Sequence, residues 1–124
     1  RTAGATCGAT HYSPRPALTL DVDLRCAARR HAKDMASNNF YSHTGSDGSW
    51  FSQRITDAGY TWVAAAENIG AGFATAQALV NAWMANSGMC QNIMSAAYED
   101  AGIGYAYSAN ANYDYYWTLN LARQ

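Results

Sequence analysis

Charge is scarce in this chain. Asp, Glu, Lys and Arg together make up 14% of its 124 residues, against roughly a quarter in ordinary globular domains. Lysine occurs once, as Lys33, and glutamate twice, as Glu67 and Glu99. The net charge of −1 leaves no surplus of cations to neutralise phosphates, so nucleic acid is not an expected partner. The only basic cluster, Arg25-Cys26-Ala27-Ala28-Arg29-Arg30-His31-Ala32-Lys33, is interleaved with Asp23 and Asp34 and reads as a solvated helix surface. No apolar run approaches the ~20 residues of a membrane span. The first residues carry no leader-like stretch, so a processed start is expected. Both prolines, Pro14 and Pro16, lie near the start.

Motifs are missing too. There is no Cys-x-x-Cys pair, no Gly-x-Ser-x-Gly elbow and no His-Glu-x-x-His. A zinc knuckle, a serine-hydrolase elbow and a zincin helix are therefore without support. Gly70-Ala71-Gly72 resembles half a dinucleotide fingerprint, but Thr75 stands at the third glycine and no acid follows at the ribose position. Turn and cap chemistry explains these glycines better.

What remains is an apolar chain, 49% hydrophobic, long enough for one domain with a real core. Residues 1–17 read as an extended arm and 18–124 as a single domain. Asp21 looks like an N-cap, and Leu24, Ala27, Ala28, His31 and Met35 recur at helical spacing over about 22–37. Ser49 can cap a second helix closed by Gly59, and Thr75 a third carrying Leu79, Val80 and Trp83. Ser87–Met94 reads as a short helical turn. Ile103–Tyr107 and Tyr115–Leu121 read as strands of one hairpin. Helices first and strands last favour an α+β fold with an antiparallel sheet.

Glu67 is the only charged residue between Asp57 and Glu99. A carboxylate in a stretch that otherwise reads as core needs a partner or a cleft. His43, just before a Gly-rich turn, is the best candidate partner. His31 reads as a structural histidine on the inward side of its helix, and His11 as part of the arm with no special role. Three cysteines leave one unpaired. In an extracellular setting, which the composition suits, Cys7 and Cys90 are expected to pair and Cys26 to remain a small buried hydrophobe.

Several segments fall in a familiar order: Phe40-Tyr41-Ser42-His43-Thr44, Ala66-Glu67-Asn68-Ile69, Trp83-Met84, Cys90-Gln91-Asn92-Ile93-Met94, Gly102-Ile103-Gly104-Tyr105 and Tyr116-Trp117-Thr118. From about Leu18 to Leu121 the chain resembles the CAP superfamily of cysteine-rich secretory, antigen 5 and pathogenesis-related 1 proteins, and most of all its bacterial SCP-like branch. The resemblance implies a three-layer α-β-α sandwich with a central antiparallel sheet, secretion, and a central cleft. It also supports the Cys7–Cys90 bridge.

In that family two histidines and two acids line the cleft and sometimes hold zinc. His43 and Glu67 match one of each. Asn86 stands where the second glutamate would be and Tyr116 where the second histidine would be, and Asp100 fits an acidic position before the Gly-x-Gly strand. With half the ligands replaced, no stoichiometric metal is expected, and at most a weak divalent site such as zinc at His43 and Glu67. Three functions follow as expectations. The leading one is a secreted, monomeric binding module for a lipid- or sterol-like molecule, another small molecule or a protein. The second is a peptidase-like hydrolase with His43 as base, Glu67 orienting it and Ser42 or Tyr116 as nucleophile or electrophile. The third is a His43–Glu67 pair that only locks two loops.

Overall fold

In the computed structural model, which describes residues 1–124, the chain folds in order as β1 (Ala5–Cys7), β2 (Thr10–Tyr12), β3 (Thr19–Leu20), α1 (Val22–Asn38), α2 (Phe51–Asp57), β4 (Ala64–Ala71), α3 (Ala76–Ala85), α4 (Ser87–Met94), β5 (Asp100–Tyr107) and β6 (Tyr115–Arg123). Local chemistry sets most of these ends. Asp21 accepts the N–H groups of Asp23 (2.9 Å) and Leu24 (3.0 Å), two donors that α1 cannot satisfy itself. Asn39 ends α1 in the left-handed conformation, φ 52°. Thr75 caps α3 and Asn86 caps α4 through their side chains. Ser49 does not cap α2: the N-cap is Trp50, which offers no side-chain acceptor, and the Ser49 carbonyl instead takes Arg54.

The main sheet has the order β3-β5-β6-β4. β6 pairs antiparallel with both β5 and β4, and the two-residue β3 joins β5 in parallel, a small departure from a wholly antiparallel sheet. Alternate residues of a strand face opposite sides. On one side Ala65, Ile69, Tyr116 and Ala122 meet Leu24, Ala27, Met35 and Ile55 of α1 and α2. On the other, Ala66, Ala101, Leu119 and Leu121 meet Leu79 and Trp83 of α3. The architecture is thus an α-β-α sandwich. α1 crosses β5 at Gly102 and Gly104, where a Cβ would run into the backbone of Leu24, Arg25 and Ala28.

Residues 1–17, read as an extended arm, include an antiparallel hairpin of β1 and β2. Cys7 in that hairpin is bonded to Cys90 in α4, with Cα atoms 5.5 Å apart. Arg1 adds hydrogen bonds to the carbonyls of Ile93 (3.0 Å) and Ser95 (2.9 Å). Cys26, expected to be buried, is exposed. The inward residues of α1 are 24, 27, 28, 31, 32, 35 and 36, which leaves 26 on the outer side of the turn.

Gly104→Ala should lower stability by about 3 kcal/mol, because two backbones have no room to part. Removing the bridge in Cys7→Ser/Cys90→Ser should cost about 4–5 kcal/mol by the chain-entropy account of a long loop. Urea unfolding at fixed pH measures both.

Candidate functional site

Strand alternation puts Glu67 on the α1 and α2 side of the sheet, with its side chain fully buried. Its Oε1 accepts from His43 Nδ1 at 2.9 Å, and its Oε2 accepts from Arg54 Nη2 at 2.9 Å. Asn120 lies directly across on β6. With its amide oriented to suit its neighbours, Asn120 donates to Glu67 Oε2 (3.0 Å) and accepts from the Ala28 N–H (3.1 Å). Three donors thus converge on one carboxylate, which is how a buried charge is made tolerable.

Arg54 is the partner that the sequence reading missed. It is 1% exposed. Besides Glu67 it donates to the carbonyls of His43 (2.9 Å) and Ser49 (2.7 Å). It therefore holds both ends of the 43–49 loop. A signal was there: Arg54 sits beside Ile55 and three residues after Phe51, on the inward side of a short helix. His31 grips the same loop from α1. Its Nε2–H donates to the Ser42 carbonyl at 2.6 Å, which fixes the tautomer. Burial pushes the His31 imidazole below its ordinary pKa of 6.5; nearby Glu67 opposes that shift and Arg54 adds to it. Asp34 accepts from Ser46 N–H and Oγ–H, and Asp47 from Ser49 N–H. Asp47 is held down at about 2, first by Ser49 and then by Arg30.

Because the carboxylate takes the Nδ1–H, His43 keeps its Nε2 as the basic nitrogen. That side chain is 37% exposed, and its ring lies 5.8 Å from that of Trp50. The other candidates lie elsewhere. Asp100 accepts from the Tyr60 hydroxyl at 2.7 Å. Tyr116 is buried, and its oxygen accepts from Tyr113 N–H at 3.2 Å. Asn86 lines a groove of about 270 Å³ along β4 with Tyr41, Ile69, Phe73, Trp83 and Tyr113. The Ile69 carbonyl accepts from both Tyr41 Oη (3.1 Å) and Trp83 Nε1 (2.9 Å), which braces the groove walls.

This donor set does not fit a metal. Both Glu67 oxygens are taken by donors, one of them a cation, and His31 Nε2 is engaged by Ser42. No group of three His, Cys, Asp or Glu side chains could hold an ion. Neither of the two hydroxyls is hydrogen-bonded to His43: Ser42 Oγ accepts from Thr44 N–H (3.1 Å), and the Tyr116 oxygen accepts from Tyr113 N–H.

The chain as a whole is similar to known proteins. A family model described as CAP, the cysteine-rich secretory protein family, matches residues 12–121. The uncharacterized protein YkwD of Bacillus subtilis (strain 168) is 32% identical over 94 residues, covering 75% of this chain and 36% of that protein. This chain therefore spans little more than a third of that relative. A crystal structure of an extracellular protein containing an SCP domain, from Bacillus anthracis str. Ames, superposes with a TM-score of 0.77 at 27% identity, covering 88% of this chain and 34% of that one. An outer surface protein from Borrelia burgdorferi shares the fold, with a TM-score of 0.75 at 21% identity over 88% of this chain and 80% of that one.

Glu67→Gln, which strands a buried guanidinium, should cost about 3–5 kcal/mol, and Glu67→Gln/Arg54→Met should recover much of that loss in urea unfolding. The network should also make stability depend on pH. Unfolded His31 takes up a proton near its ordinary value, whereas folded His31 resists it. Stability is therefore full above about pH 6.5 and falls as the pH drops below it. His31→Gln should flatten the difference between unfolding curves at about pH 7.5 and 5.5.

Proposed function

Since the chain belongs to the cysteine-rich secretory protein family, CAP, we propose that it is a secreted binding domain without turnover, and that its ligand is lipid-like and lies in the β4 groove. The observation that carries this reading is the groove itself. It is walled mostly by aromatic and aliphatic side chains, with Asn86 as a polar contact. Ligand sites are typically concave and apolar with a few placed polar groups. At about 270 Å³ the groove suits a short acyl chain or a small ring system rather than a whole phospholipid. Relatives described as extracellular or outer-surface proteins, together with the Cys7–Cys90 bridge, support a location outside the cell.

Within this reading the His43–Glu67 pair is a lock. Arg54 ties the same carboxylate to the two carbonyls that bound the 43–49 loop, which is the arrangement of a structural clamp. A hydrolase would need an activated attacker within hydrogen-bond reach of His43, and the hydrogen bonds of the Ser42 and Tyr116 hydroxyls are to Thr44 and Tyr113 N–H and not to His43.

A fluorescent fatty-acid analogue titrated into the protein tests the groove. Saturable binding should be lost in Ala82→Trp, which fills the groove, and kept in His43→Ala. Loss of binding in His43→Ala with folding intact would move the site to the pair. Release of product from a peptide library by wild type, abolished in His43→Ala, would make the protein an enzyme.

A further inference from the structure

We propose that the outer side of α1, with the adjoining β3–β5 corner, docks on an anionic phospholipid bilayer. Arg25, Arg29 and Lys33 recur every four residues and are all exposed on one side of the helix. The structure thus gathers into a stripe the basic residues that read as spread round a solvated helix. None of the ion pairs involves them; Arg30 alone of this cluster is neutralised, by Asp47 (3.0 Å) and Asp57 (3.2 Å). The shallow groove along this stripe contains no acid.

At its N-terminal end the stripe runs, through Val22 and Arg25, into an apolar dimple of about 110 Å³ that includes Leu20 and Ile103. Asp21 also lines the dimple, but its carboxylate is engaged in capping α1. Leu20 is 82% exposed, Val22 66% and Ile103 40%. Uncovered aliphatic side chains beside unpaired cations match the boundary of a negatively charged bilayer. There the aliphatics enter the acyl edge, while arginine and lysine stems lie along apolar surface with their heads at the phosphates. Charge complementarity selects the anionic lipid, and the aliphatic corner selects a bilayer over a soluble polyanion. The surface lies apart from the β4 groove and does not depend on a ligand there.

Vesicle sedimentation tests this. Wild type should bind phosphatidylglycerol–phosphatidylcholine vesicles, bind pure phosphatidylcholine far less, and release in high salt. Arg25→Ala and Arg29→Ala should each weaken binding about fivefold, as expected for a cation at a charged surface. Leu20→Ser/Val22→Ser should also weaken it, and Ala82→Trp should leave it unchanged. A polarity-sensitive dye on Cys26, the one free thiol, should shift to the blue on the anionic vesicles. Equal binding to neutral vesicles, no binding to anionic ones, or binding unchanged by the arginine variants would overturn the proposal. So would capture of soluble polyphosphate that Leu20→Ser/Val22→Ser leaves intact.

Discussion

Arg54 and Glu67 are buried together, and the loop that carries His43 depends on them. Desolvating two charges is unfavourable by several kcal/mol each unless geometry and added hydrogen bonds offset it. Here they do. Glu67 accepts from Arg54, His43 and Asn120, while Arg54 also reaches the carbonyls of His43 and Ser49. One carboxylate on β4 thereby connects α2, the 43–49 loop and β6. His31 adds α1 through Ser42. Such a network rewards only one arrangement of these elements, because any slip leaves a buried charge unpaired.

The sheet separates two tasks. Its α1 and α2 side holds the polar clamp, and its free β4 edge, between Tyr41 and Tyr113 on one side and Trp83 on the other, carries the apolar groove. The two meet at Ile69, whose side chain packs with Met35 and Tyr116 while its carbonyl braces Tyr41 and Trp83. The same sheet fixes α1 from the back, through the glycines of β5. That contact leaves the outer side of α1 free to face a surface.

Much of the fold was legible because its signals are local. Asp21 and Thr75 mark helix starts through their own hydrogen-bonding chemistry. The polar Ser108–Asp114 segment joins two aromatic strands that pair as a hairpin. The His43–Glu67 pair was legible for a different reason, as one charge in a long uncharged stretch. Arg54 escaped notice because an arginine on a short helix is ordinarily solvated, and only the packing of α2 against β4 turns it inward. Ser49 misled because its carbonyl and hydroxyl serve Arg54 instead of α2. Cys26 misled because burial on a helix turns on a rotation of about 100° per residue, which a run of small residues does not define.

By itself the sequence determined the four helices, the β5–β6 hairpin, the expected Cys7–Cys90 pairing and the site's one conspicuous carboxylate, but not the strands β1 to β4. These depend on caps, periodicity and residue type, which act over a few positions, and on a family order of motifs. Only the tertiary structure decided what those residues meet. It paired Glu67 with Arg54 as well as His43, and it sent Asn86 to the groove, Tyr116 beneath Tyr113 and Asp100 to Tyr60. Such encounters join residues far apart in the chain, and the direction in which each side chain points is fixed by how helices and sheet pack.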